Sequence, residues 1–149
     1  MLKGIPAVLS PELLKVLAEM GHSDRLVIGD GNFPGESMGK NAKVIRCDGM
    51  DIVTLLDAIL KVIPLDDYVD HPVTLMQLMD RDVGKIEVPI WEEYKRLVSM
   101  HDKRGEAAIE HMERFAFYEE AKKCYAVLTT SDKAVYANII IQKGVVYND

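Results

Sequence analysis

The chain has 149 residues, 48% of them hydrophobic and 28% charged, with a formal net charge of −6. That composition predicts one globular domain over residues 1–149 and excludes a disordered chain. The acidic balance argues against a nucleic-acid partner, because neutralising phosphates needs a basic face. No membrane association is expected either: the longest apolar run, Val53 to Ile63, is interrupted by Asp57 and Lys61.

Met1 to Pro6 is too short and too polar for a secretory leader. The first predicted helix opens at Ser10-Pro11-Glu12, where serine can cap, proline suits the first turn and glutamate sits at the favourable end of the dipole. Leu13, Leu14, Leu17 and Ala18 keep helical spacing and Gly21 is the expected stop. His22 follows, then the short apolar strand Leu26-Val27-Ile28, then a loop headed by Asp30. A second strand is expected over Lys43 to Arg46. Asp51 caps a helix from Ile52 to about Val62, with Leu55, Leu56, Ile59 and Ile63 on one face and Pro64 ending it. Val73 to Met79 predicts a strand. Pro89 begins a helix through Trp91, Tyr94, Leu97 and Val98, and Arg114 precedes another over Phe115 to about Lys123. Tyr125 to Thr129 and Asn138 to Gln142 predict two last strands, joined by the polar turn Thr130 to Lys133. Helices alternating with strands give the α/β class: a central β-sheet flanked by helices.

The two cysteines, Cys47 and Cys124, are far apart in sequence, which favours a reducing cytoplasm over a disulfide framework. His22, His71, His101 and His111 lack metal-ligand spacing, so no metal is expected. Gly29, Gly31 and Gly35 do not have dinucleotide-loop spacing, and Pro34-Gly35 is not expected to open a helix, so no nicotinamide cofactor is expected.

Four places can carry chemistry. His22 can simply cap a helix end. Its place between a helix stop and a strand, near Asp24 and Asp30, gives a proton-transfer role equal weight. Asp30 can be turn chemistry, or a carboxylate at the carboxyl end of a strand, where α/β sheets bind ligands and where it can accept hydrogen bonds from several hydroxyls. Arg114 heads the aromatic run Phe115-Ala116-Phe117-Tyr118; the phenylalanines are expected to pack in the core, whereas the guanidinium suits sugar oxygens. Tyr136-Ala137-Asn138 can begin a strand, or pair a phenol with an amide to read hydroxyls.

Taken together, Ser10 to His22, the segment through Asp30 to Pro34, Arg114-Phe-Ala-Phe-Tyr118 and Tyr136-Ala-Asn-Ile-Ile resemble the fucose mutarotase branch of the ribose pyranase and fucose mutarotase family. They run in order along nearly the whole chain. The resemblance implies that family's fold and a cytoplasmic isomerase of carbohydrate metabolism that interconverts the anomers of a free monosaccharide, L-fucose foremost, without metal or cofactor. It implies a ring-shaped homo-oligomer, a decamer of stacked pentamers. It assigns proton transfer to His22 and sugar binding to Asp30, Arg114 and the Tyr136-Ala137-Asn138 clamp. Some positions depart from the fucose pattern: Ala137 stands where fucose members often have glycine, Ser23 replaces the usual glycine, and Gly31-Asn32 replaces a common Ala-His pair. Arg114 stands on the fucose side, since ribose members carry histidine there. The alternatives are a D-ribose pyranase and a non-catalytic sugar-binding ring protein. Trp91, Met100, Met112 and the Ile139 to Ile141 run are the residues from which an intersubunit contact is expected.

Overall fold

A computed structural model describes residues 1–148. Helix α1 spans Pro11–Glu19 and is capped as expected, with the Ser10 side chain accepting the Leu13 N–H. It stops two residues before Gly21, whose N–H turns aside to Asp24 Oδ2. Strand β1, Arg25–Gly29, leads to a one-turn helix α2, Gly35–Met38, which the sequence did not lead us to expect after Pro34. The turn fits because Gly35 has no side chain: a Cβ there would lie 2.3 Å from Thr129 Cγ2. β2 is Lys43–Cys47 and α3 is Ile52–Leu60, capped by Asp51 on the Thr54 N–H.

β3 is Val73–Met76, shorter than expected. The Gln77 N–H makes a last bond to the Met112 carbonyl, and the chain then leaves the sheet toward Tyr136. α4 is Ile90–His101, longer than its apolar spacing suggested, and it ends where His101 Nε2 meets Asp57 Oδ1 at 3.1 Å. A 3₁₀ turn, Gly105–Ala108, leads into β4, Ile109–Met112, which sequence patterning missed. Ile-Glu-His-Met at a sheet edge is only partly covered, so it carries no apolar run. α5 is Arg114–Ala121, β5 Ala126–Thr130 and β6 Ile139–Gln142.

The strands form one sheet in the order β2-β5-β1-β6-β3-β4. β5 is parallel to β1 and β2, β4 is parallel to β3, and β6 is antiparallel to both β1 and β3. All strands but β6 therefore point the same way. The larger core, including Leu13 and Leu17 of α1, Leu55 and Ile59 of α3 and Tyr94 and Leu97 of α4, lies on one face of the sheet. A smaller cluster of Phe33, Met76, Phe117 and Ala121 covers the other face. Ile139 and Ile141 face the first cluster and Ile140 the second, all buried within the protomer. That run is thus an internal strand and is not free for an intersubunit contact, whereas Met100 remains exposed.

Candidate active site

The parallel strands bring their carboxyl ends to one edge of the sheet, and antiparallel β6 brings its amino end to the same place. Ligands of open α/β sheets bind at such an edge. Here it holds a cavity of about 510 Å³, lined by Asp30, Phe33, Asp82, Arg114, Tyr136 and Asn138 among others. The volume is ordinary for a small-molecule site.

Asp30 follows β1 and is buried. Its Oδ1 accepts the Asn32 N–H at 2.9 Å, and its own N–H donates to Asn138 Oδ1 at 2.8 Å, which ties the end of β1 to the start of β6. Burial pushes the Asp30 carboxyl up from its ordinary value, against the opposing pull of N–H donors from Asn32, Ala137 and Phe33. Gly29 makes the loop possible: a Cβ there would lie 2.5 Å from the Phe33 ring, which folds back over it.

Arg114 is the first residue of α5, directly after β4 and the Glu113 cap. Its guanidinium lies 5.4 Å from the Tyr118 ring centroid and 5.5 Å from that of Phe115. Its hydrogen-bond partners are weak ones, the Tyr118 hydroxyl and Met79 Sδ, both at 3.4 Å. Among the described residues it forms no ion pair with a carboxylate, so its strong donors remain for a ligand. Phe117 is a core residue as expected, but Phe115 is exposed, because helical geometry turns it to the opposite side of α5.

Tyr136 adopts a left-handed backbone with φ of 54°. Its hydroxyl donates to Asp82 Oδ2 at 2.5 Å and accepts the Met79 N–H, while its carbonyl accepts from Trp91 Nε1 at 2.9 Å. Burial and the Asp82 hydrogen bond both push the phenol up, so it is held protonated. Ala137 contributes only backbone: its N–H supports the Asp30 carboxylate and its carbonyl accepts from the Tyr94 hydroxyl. The Asn138 oxygen is committed to Asp30, which leaves its amide NH₂ as a donor.

The protomer thus brings Asp30, Arg114, Tyr136 and Asn138 together, and it does not bring His22 to them. His22 precedes β1, at the opposite end of the strand from Asp30. Extended chain from Asp24 to Asp30 covers on the order of 20 Å. The partner of the imidazole is Asp66, with Nε2 3.0 Å from Oδ1, and Tyr68 packs on the ring at 4.9 Å between centroids. Sequence reasoning missed Asp66, Asp82, Met79 and Trp91. Asp66-Asp67 after Pro64 and Asp80 to Asp82 look like ordinary polar loops. Their pairing with residues 44 and 54 positions away has no local signal.

Residues 3–146 match the model of the RbsD / FucU transport protein family. A fucose mutarotase of Danio rerio is 51% identical over 147 residues, covering 97% of this chain and 94% of that one. The crystal structure of FucU from Bifidobacterium longum superposes with a TM-score of 0.94 at 56% identity, covering 97% of this chain and 100% of that one. The fucose mutarotase of Streptococcus pneumoniae, solved in complex with L-fucose, superposes with a TM-score of 0.90 at 43% identity, covering 98% and 100%. With a family model matched over nearly its full length and the fold shared throughout, this chain belongs to the RbsD / FucU transport protein family.

Proposed function

We propose that this protein is an isomerase, an L-fucose mutarotase, that interconverts the α and β anomers of the free sugar by acid-base ring opening and closure. One observation carries the assignment: a buried carboxylate, Asp30, and a guanidinium without a carboxylate partner among the described residues, Arg114, line the same cavity at the strand ends. A carboxylate accepts from several hydroxyls, while Arg114 and the Asn138 amide donate to others, which suits a polyol. Phe33, Met76 and Tyr118 add an apolar wall against which the methyl group of a 6-deoxyhexose can lie. The names and the bound L-fucose of the relatives support the same sugar.

Ring opening needs a proton delivered to the ring oxygen and one taken from the anomeric hydroxyl; closure on the other face of the aldehyde reverses both. Groups that cycle near neutral pH serve this, and positioned acid-base transfer contributes roughly a hundred- to ten-thousandfold. His22 is assigned one of these two transfers. Tyr136, its hydroxyl held on Asp82, is assigned to sugar binding beside Asn138, with the second transfer as its alternative role. The chemistry so described moves only protons.

His22 reaches a sugar in this cavity only if a second copy supplies it. The site is therefore assigned to a subunit boundary. The two ends of the protomer suit unlike-faced contact: Tyr68 and Tyr147 are exposed on the His22 side, and Phe115, Val83 and Val135 around the cavity. A contact between unlike faces closes into a ring when the rotation allows, in keeping with the decameric double ring that the family resemblance implies. A cytoplasmic setting fits the two free cysteines and the lack, among the described residues, of a helix long and apolar enough to cross a membrane.

Saturation-transfer NMR on fucose and on ribose, with and without protein, tests the assignment. Enhanced exchange between fucose anomers is expected. Enhancement of pyranose–furanose exchange in ribose alone would make the protein a pyranase, and binding without enhancement would make it a sugar-binding ring protein.

A further inference from the structure

Helix α4 reaches the segment Tyr136-Ala137-Asn138 from behind the cavity. Trp91 and Tyr94 are three residues apart on it, so both rings project from one side of the helix. Trp91 Nε1–H donates to the Tyr136 carbonyl at 2.9 Å, and the Tyr94 hydroxyl donates to the next carbonyl, that of Ala137, at 2.5 Å. Neither ring lines the cavity. Tyr94 is fully buried, and burial, with the Asp132 and Asp30 charges added, pushes its phenol up, so the hydroxyl keeps the proton it donates. Trp91 is half-buried; it packs against the larger core and makes a T-shaped contact with His111 at 4.7 Å between centroids. The segment needs such support. Tyr136 holds φ of 54°, which a residue with a side chain keeps only where its surroundings fix it. Asp82 and the Met79 N–H fix its phenol, but they leave the peptide planes free to turn. The two bonds from α4 hold the planes themselves.

We propose that Trp91 and Tyr94 are positioning residues for sugar recognition, a two-ring brace that fixes the Tyr136–Ala137 and Ala137–Asn138 peptides. The proposal rests on the assignment of sugar binding to Asp30, Tyr136 and Asn138. A peptide unit is planar, so holding its carbonyl also aims the N–H on its other side. The Tyr136 carbonyl shares a plane with the Ala137 N–H, which supports the Asp30 carboxylate. The Ala137 carbonyl shares a plane with the Asn138 N–H, and so sets the direction in which the Asn138 side chain leaves the backbone to take the Asp30 N–H. Each ring thus acts through one peptide on a group that meets the sugar. Releasing either carbonyl lets its plane turn, and the carboxylate and the amide move off the sugar hydroxyls. Those contacts bind the sugar with its ring closed and while it opens alike, so their loss raises KM and leaves kcat nearly unchanged.

The first test needs no variant. Trp91 is the single tryptophan of the chain, so its indole ¹⁵N–¹H signal identifies itself. On titration with L-fucose that signal is expected to shift, with a midpoint matching KM for anomer exchange, because the carbonyl it donates to belongs to the segment that meets the sugar. A signal unmoved at saturating fucose overturns the proposal. The second test uses Tyr94→Phe and Trp91→Phe, which each delete one donor and keep an aromatic ring. Each is expected to raise KM for fucose about three- to tenfold, the size of one neutral hydrogen bond, with kcat within about twofold. An unmoved KM in both variants, with only the urea midpoint lowered, would make the two rings supports of the core alone and overturn the proposal. Asn138→Ala keeps the two failures apart. An unmoved KM in that variant removes the parent assignment, whereas a raised KM there beside an unmoved KM in both ring variants removes the brace alone.

Discussion

The separation of His22 from the cavity makes a quantitative prediction about mixed assemblies. In one protomer the two ends of β1 lie on the order of 20 Å apart, too far for an imidazole and the Asp30 carboxylate to touch one sugar. His22→Ala and Asp30→Asn should therefore each lose fucose exchange, by roughly a hundredfold or more for the former. When the two are co-expressed with different tags and mixed assemblies are purified, each site draws its cavity from one subunit and its histidine from the next. With equal and random incorporation, half the cavities are intact and half of those face an intact histidine, so about a quarter of the sites are restored. Anomer exchange measured by NMR should recover to about that fraction of wild type, from two proteins that are each inactive. Verified mixed assemblies with no recovered exchange would refute the shared site. A fully active monomer would refute it more simply.

The remaining predictions concern single positions. Arg114→His should reduce fucose exchange relative to ribose exchange, read as a ratio of NMR rates, and an unchanged ratio would make Arg114 structural. Extended dialysis against EDTA should leave the exchange rate unchanged; a loss restored by a divalent ion would overturn proton-only chemistry. Ser23 holds φ of 73°, a conformation that disfavours side chains. Ser23→Gly should therefore stabilise the fold by about 0.5–1 kcal/mol after the entropy that glycine adds to the unfolded chain, measured by urea unfolding. A lower midpoint in the variant would show that the serine side chain has a compensating role.

What the sequence made legible was local. The Ser10 and Asp51 caps, the apolar stripes of α1 and α3 and the position of Asp30 after a strand each follow from a few neighbouring residues. The edge strand β4 stayed hidden because half-covered Ile-Glu-His-Met carries neither an apolar run nor a clean alternation. The one-turn helix α2 depends on Gly35 fitting against Thr129, a contact across more than half the chain. His22 was found and its neighbour was not. Asp24 and Asp30 are close in sequence, but the strand carries Asp30 away and the end of β6 brings Asp66 in. The same logic accounts for Tyr136: its place at a strand mouth was legible, while its hydrogen bond to Asp82 was not. The left-handed φ at Tyr136 has no signature in a residue type that rarely adopts it.

Asp30 and Asp66 have opposite effects on stability, although each is a buried carboxylate beside a candidate functional group. The Asp66 carboxyl lies below its ordinary value of 3.8, so the folded state favours its charged form. Its contribution is fully present above pH 3.8 and is lost as pH falls through the depressed native value. Asp30 is the reverse. Burial lifts it above 3.8, so the folded state binds its proton first, and stability falls as pH rises from 3.8 through the raised native value. Above its raised native value the charged Asp30 is a standing cost to the fold, retained because a carboxylate accepts from sugar hydroxyls. Asp30→Asn should therefore lose exchange while raising the urea midpoint at pH 7, with the gain vanishing as pH drops below about 3.8, where wild-type Asp30 is itself neutral. Asp66→Asn should lower the midpoint at pH 7, with the deficit narrowing in acid. An Asp30→Asn protein that unfolds at lower urea than wild type at pH 7 would mean that the N–H donors around Asp30 outweigh its burial, and that this carboxylate serves the fold as well as the ligand.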